Sequence, residues 1–323
     1  MKSSNKSKRY ILLLLKCGLT TGILFYIFTI IPLDDVIRSL SKANLYYVLT
    51  APFIVIFSNL LSSYRLKILT DKQGMSLSVS QIVEINFVTS FYGLLVPGLL
   101  ASGVIRWHKM AIVDKKKTEA LAAIAFSRLH YTIIVVVLGI IFLALDIANG
   151  PRNLPILILL ALLTSLFIIY FIGFSPKALI LLDKLYHGRT KFIPVSVYSM
   201  VKNLFISTAQ YHRLSIRFWS CITGIAFVEN LIGILMVYLL AMALNINISF
   251  INIGWVRSVI IIFTTLPISF SGLGLREGGF IVLLAPYGVP GEEALALAFL
   301  VFATVLFLAV IGGWIEAKKF IFG

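Results

Sequence analysis

Residues 265–279 read TLPISFSGLGLREGG, an Arg276-Glu277 pair set among Gly272, Gly274, Gly278 and Gly279 in a sequence otherwise as apolar as a membrane interior. Ionisable side chains at bilayer depth are costly, so the pair marks a functional candidate. Residues 96–106, VPGLLASGVIR, carry a fainter version of the same stretch. Pro97 precedes Arg106 by the nine positions that also separate Pro267 from Arg276, and the two copies lie 170 residues apart. The chain reads as a duplicated membrane fold with one polar break in each half.

The 323 residues are 59% hydrophobic and 13% charged, with a mean hydropathy of +1.00. That leaves too little polar surface to cover a water-soluble globule, so the expected fold class is all-α, a polytopic membrane bundle. A net charge of +15 would suggest nucleic acid in a soluble protein. Here the basic residues stand in short loops between apolar spans, where they set topology and meet the headgroups of membrane lipids, and no nucleic-acid partner is expected. Cys17 and Cys221 lie in or beside apolar segments and suggest neither a disulfide framework nor a zinc site. The first apolar run, Tyr10 to Ile31, follows Lys2, Lys6, Lys8 and Arg9 without a small-x-small cleavage site. It reads as a retained signal anchor in the cytoplasmic membrane, with a cytosolic N-terminus.

Loop charges order the remaining spans. A balanced loop around Asp34, Asp35, Arg38 and Lys42 is expected outside, and Leu45 to Ser63 returns to a basic inside turn with Arg65, Lys67 and Lys72. The next inside cluster is Arg106, Lys109 and Lys115 to Lys117. The thirty residues from Ser76 to Ile105 are too few for two crossings, which need about 40. This segment is expected to enter, break at Pro97-Gly98 and return. Thr118 to Leu145 then exits, Asn149-Gly150-Pro151 turns, Leu154 to Gly173 comes back, and residues 175–217 lie along the cytosolic surface as amphipathic helices. Phe218 to Leu244 leads outward, while Ala294 to Ala317 ends inside at Lys318-Lys319, so Ile251 to Val289 is a second re-entrant hairpin from the outer face. The expectation is about six full spans plus two re-entrant broken-helix hairpins in an inverted-topology repeat, with units 45–145 and 218–317, in one domain over 1–323 with both termini cytosolic.

Interrupted helices that meet near the midplane are where such repeats bind substrate. Gly272 and Gly274 permit close backbone approach, Ser269 stands just before them, and the amides from Gly278 onward are expected to point a positive helix end at an anion. Arg276 adds a planar bidentate donor suited to phosphate; the alternative is a local ion pair with Glu277 that closes the fold. In the first half Asn86, Ser90 and Gly93 fall on one helical stripe, with Phe87 and Phe91 turned to lipid or core, and Arg106 follows the break. Arg128 and His130 lie a third of the way into an apolar span, where Arg128 either faces a phosphate or snorkels to the interface. Glu229, mid-span beside Asn230, is the expected counter-charge to one of these arginines or a proton carrier. The candidate substrate-binding set is Arg276, Glu277, Gly272, Gly274, Ser269, Arg106, Arg128, Asn86, Ser90 and Glu229. No catalytic residue, metal or cofactor is expected. The chain has no Walker A, HExxH or nucleophile-elbow motif, and no strand precedes GLGLREG to make it a dinucleotide loop.

LPISFSGLGLREG is similar to the second-half signature of the lysylphosphatidylglycerol synthase transmembrane-region family, flippase-like integral membrane proteins. Asn86, Ser90, Pro97-Gly98, Arg106 and Arg128 resemble its first-half signature, and the resemblance runs from about Tyr10 to Lys318. Where relatives commonly carry an acidic residue shortly before the first-half arginine, this chain has Ser102-Gly103-Val104-Ile105; where one often precedes the next span's arginine, it has Ser127. The resemblance implies translocation of a lipid with an anionic or glycosylated headgroup, an aminoacyl-phosphatidylglycerol or a polyprenyl-phosphate-linked saccharide. It also implies a glycosyltransferase or acyltransferase as the kind of partner to expect. Members that synthesise the aminoacylated lipid carry a further soluble acyltransferase-like domain, which is not expected here. A membrane-embedded transferase related to the synthase, and an accessory subunit of envelope-glycan assembly, stay open as alternatives.

Overall fold

The computed structural model describes residues 18, 20–95, 99–146, 153–174, 195–212, 214–265, 269 and 272–322. The basic N-terminal tail, Lys16, Cys17, the Pro97-Gly98 and Pro267 breaks, the Asn149-Gly150-Pro151 turn and the PKALILLDKL stretch lie outside them. All described elements are helical: α1 (Thr20–Ile30), α2 (Leu33–Ser41), α3 (Leu45–Lys72), α4 (Val79–Leu95), α5 (Leu99–Asp114), α6 (Lys117–Leu145), α7 (Asn153–Phe174), α8 (Val195–His212), α9 (Ile216–Ala243), α10 (Phe250–Thr265), α11 (Leu275–Leu284) and α12 (Gly291–Phe322). Four of them, α3, α6, α9 and α12, are long and apolar enough to cross a membrane. The other two expected spans fall on α1 and on the 22-residue α7. Large apolar side chains point outward in rows, such as Leu49, Phe53 and Phe57 on α3, as a lipid-facing surface requires. The chain is an all-helical polytopic membrane bundle.

Local sequence starts the spans where the loops end. Asn44 caps α3 by accepting from the Tyr46 amide at 3.0 Å, and Ser215 caps α9 by accepting from the Phe218 amide at 3.4 Å. α3 runs on to Lys72, so Arg65 lies inside the helix and is 3% exposed; the expectation of a basic turn there is corrected. Likewise Arg106 and Lys109 belong to α5, the second arm of the first hairpin, rather than to a loop beyond it.

Packing is reciprocal between the two halves. α3 packs on α9; α4 packs on α12 and α10 on α6, so the leading arm of each hairpin lies against the last span of the other half. Both of these contacts are close. A Cβ on Gly312 of α12 would overlap the backbone carbonyl of Phe87 on α4, and one on Gly254 of α10 would lie 2.6 Å from the Phe142 ring on α6. Small residues at such crossings let helix backbones approach where lipid supplies no hydrophobic drive between helices. Phe87 is thereby a core residue, 8% exposed.

The bases of the hairpins lie at opposite ends of α6. At its start, Asp114 accepts from the Ser76 amide at 3.1 Å and the Ser76 hydroxyl at 2.6 Å, and Lys116 reaches the Gly74 carbonyl. At its end, the Tyr287 hydroxyl donates to Asp146 and accepts from Trp255 Nε1 at 2.9 Å, closing α10 onto the segment after α11. α6 has 29 residues, about 43 Å at 1.5 Å per residue, which separates the two bases by more than the hydrocarbon thickness.

α8 departs from the expected surface-lying helix. Tyr211 is fully buried, donates to the Leu69 carbonyl at 3.0 Å and stacks on Phe126, while Gln73 Nε2 donates to the Ser207 carbonyl at 2.8 Å. These contacts dock α8 into the bundle against α6 and α7.

Gly312→Ala should lower thermal stability in detergent by about 1–3 kcal/mol, because backbone on both sides of the α4–α12 contact has to move. Gly103→Ala, with nothing within 4 Å of the new methyl group, should leave the melting curve unchanged or raised. Melting followed by size-exclusion chromatography distinguishes the pair, and equal curves would remove the tight crossing.

Candidate functional site

A cavity of about 310 Å³ opens among α4, α5, α6, α10, α12 and residues 269 and 272. Its walls are Thr89, Ser90 and Gly93 of α4, Ser102 and Arg106 of α5, Arg128 of α6, Thr264 of α10, Val305 of α12, and Ser269 and Gly272 of the second break. The stripe on α4 puts Ser90 and Gly93 on this wall, and Gly93 keeps the arms close: a Cβ there would sit 3.5 Å from that of Ser102. Gly272 has φ +76°, a left-handed conformation that favours glycine, and presses on Thr264.

Two buried polar atoms in this wall have no hydrogen-bond partner, Arg106 Nε and Ser269 Oγ. Buried polar atoms are nearly always satisfied in folded proteins, so orphans that line a cavity point to an absent ligand or water. Arg128 lines the same cavity and makes no ion pair among the described residues. Among the described residues no carboxylate lines the cavity.

The Arg276-Glu277 pair is built differently. Arg276 Nε and Nη2 donate to Glu277 Oε1 at 3.1 and 2.6 Å, Glu277 Oε2 accepts from the Gly274 amide at 2.6 Å, and Arg276 lies over the Phe302 ring at 4.7 Å. Glu277 is fully buried and Arg276 is 6% exposed, so the pair is closed off from the cavity. The Gly278 amide donates to the Gly274 carbonyl at 2.9 Å, so it is not a free donor to a ligand. The anion at the start of α11 is the chain's own glutamate. Gly274, with φ +81°, packs against Ile23 of α1.

Glu229 pairs with an arginine, but not one of the three anticipated. Arg65 Nε donates to Glu229 Oε2 at 3.2 Å, Arg65 Nη1 donates to the Ser127 carbonyl and hydroxyl at 3.1 Å each, and the guanidinium lies over the Tyr131 ring at 5.4 Å. Arg257 packs across Gly233 within electrostatic reach of Glu229 and Tyr131, with its Nη1 buried and unpaired. Asn86 donates to Ser63 Oγ at 2.7 Å, behind the cavity wall. The site thus brings together Arg106, Arg128, Ser90, Ser269 and Gly272, with Asn86 and Glu229 in a supporting layer and Arg276, Glu277 and Gly274 in a separate self-satisfied turn. Arg65 and Arg257 are the residues sequence reading missed. Arg257 interrupts the apolar run FINIGWVRSVIIIFTT and had the same signal as Arg128; Arg65 was masked by the lysines that follow it.

The sequence profile of the family described as "Lysylphosphatidylglycerol synthase TM region" matches residues 13–313. The chain belongs to this family. No curated protein matches the chain as a relative. For this member of the lysylphosphatidylglycerol synthase TM region family, the match spans both hairpins, the cavity and the Arg65–Glu229 layer, so the whole site falls within the shared region.

Replacing Glu229 with Gln strands Arg65, a buried cation, and should cost about 3 kcal/mol or more in detergent stability, whereas Arg65→Met with Glu229→Leu should cost less. The cycle is read by thermal unfolding, and additive losses would mean the pair is uncoupled. Glu277 behaves otherwise: adding Arg276→Met to Glu277→Gln should recover only part of the loss, since the Gly274 amide is left without its carboxylate.

Proposed function

We propose that this protein carries an anionic or glycosylated lipid across the cytoplasmic membrane, with the headgroup phosphate in the Arg106–Arg128 cavity and the tails left in lipid. The observation that carries the reading is the unpaired, buried Arg106 Nε in a cavity lined by a second arginine and no acid. A guanidinium offers phosphate a planar pair of donors that lysine does not reproduce. Family membership supports a role in lipid or glycolipid handling, and the headgroups considered are aminoacyl-phosphatidylglycerol and polyprenyl-phosphate-linked saccharide. A separate glycosyltransferase or acyltransferase would supply such a lipid.

The proposed topology has both termini in the cytosol, units 45–145 and 218–317 inverted about the membrane, and the hairpins re-entrant from opposite faces. Hairpin arms of 17, 16, 16 and 10 residues support this, since none exceeds about 26 Å against a hydrocarbon core of about 30 Å. Such inverted repeats with broken helices suit alternating access around one central site. Single cysteines at Ser76 and Lys115 should label from the cytosolic side, and those at Asn247 and Glu292 from the outside; opposite-side labelling within either pair removes the arrangement.

Arg106→Lys should insert and fold normally yet slow lipid translocation in reconstituted liposomes by at least about tenfold. The assay follows leaflet accessibility of labelled anionic lipids. A folded Arg106→Lys protein that moves the same lipid at the parental rate would take the cavity out of the mechanism.

A further inference from the structure

The charges around the cavity specify the headgroup more narrowly. Arg106 and Arg276 hold corresponding positions 170 residues apart, but only Arg276 is followed by an acid; at the matching place after Arg106 stands Trp107, whose indole Nε1 donates to the Lys117 carbonyl at 2.7 Å, towards the hairpin base. The second hairpin therefore carries its own counter-ion, and the first does not. Glu229 of α9 is already bound to Arg65 at 3.2 Å. Two guanidinium groups, Arg106 and Arg128, are left facing one cavity with no carboxylate in its wall. A single negative charge bonded to Arg106 would leave Arg128 facing the same ligand without a counter-charge.

The cavity hydroxyls carry a second message. Thr89 Oγ1 donates to the Ile85 carbonyl at 2.6 Å, Ser90 Oγ to the Asn86 carbonyl at 3.1 Å, and Thr264 Oγ1 to the Ile260 carbonyl at 2.9 Å. With their hydrogens donated back to their own helices, these oxygens face the cavity as neutral acceptors. Neutral acceptors suit hydroxyl donors; a bound ammonium would find no carboxylate to pair with.

We infer that the first hairpin binds a headgroup carrying two negative charges and no ammonium, a diphosphate-linked or phosphomonoester polyol lipid rather than an aminoacylated phosphodiester. The inference rests on the transport reading for its location but concerns charge alone. In the pair Arg276–Glu277 the fold already displays the half-neutralised equivalent: a carboxylate spanning Nε and Nη2 of the arginine. The substrate supplies to Arg106 what Glu277 supplies to Arg276, and its second charge meets Arg128.

The test is titration calorimetry on the full chain in detergent with three soluble probes: pyrophosphate as its P1,P2-dimethyl diester, a dianion, phosphoglycerol, a singly ester-linked dianion, and glycerophosphoethanolamine, a phosphodiester with an ammonium. Pyrophosphate and phosphoglycerol should each bind about tenfold or more tightly than glycerophosphoethanolamine. Tighter pyrophosphate assigns a diphosphate linkage, and tighter phosphoglycerol a monoester. Arg128→Gln should erase the preference for doubly charged probes, Arg128→Lys should retain most of it, and Arg106→Gln should weaken all three. Equal affinity for all probes, or a preference unchanged in Arg128→Gln, overturns the inference. Intact charge preference without lipid translocation in liposomes would instead remove the transport reading while leaving the charge assignment standing.

Discussion

A guanidinium held away from bulk water needs a partner, and five of them, Arg65, Arg106, Arg128, Arg257 and Arg276, stand within helices or breaks of this bundle. Two carboxylates, Glu229 and Glu277, are bonded to arginines there. How the fold distributes this shortage decides which parts are structural and which are open. Arg65 takes Glu229 and the Ser127 carbonyl and ties α3, α6 and α9 into one layer. Arg276 takes Glu277, which also closes the Gly274 turn at the start of α11. Arg106, Arg128 and Arg257 receive neither, and the first two line the cavity.

The all-helical bundle and its long spans were legible because membranes impose coarse rules: apolar runs of fixed length, basic loops, and rare polar residues that stand out. The 170-residue register followed from Pro97, Arg106, Pro267 and Arg276 alone. What the sequence did not disclose was which charge meets which. Arg65 is spaced like a loop residue beside Lys67 and Lys72, and only the continuation of α3 to Lys72 turns it inward. Glu277 could be seen as a neighbour of Arg276, yet its second bond, to the Gly274 amide, depends on the left-handed backbone at Gly274. Partner choice is a matter of helix rotation and crossing, and those are fixed by contacts such as Gly312 on Phe87, to which a hydropathy pattern is blind.

The two hairpins have the same plan and opposite chemistry. In one, a short arm of 10 residues begins on an internal ion pair; in the other, a 16-residue arm places its arginine in a cavity wall. A single acidic position, present after Arg276 and replaced by Trp107 after Arg106, separates an arginine paired within its own turn from one that lines a cavity.

The crossing of α4 with α12 also bears on how the chain is made. α4 is complete by Leu95, but the helix that covers it begins only at Gly291, so the first hairpin remains without its principal neighbour until α12 has been made. α10 has no such wait, since its neighbour α6 is already in place when it emerges. The nascent protein therefore inserts its first hairpin long before it can seat it, and the Ser76–Asp114 and Lys116–Gly74 contacts at the base are the local bonds available to hold the two arms together in the interval.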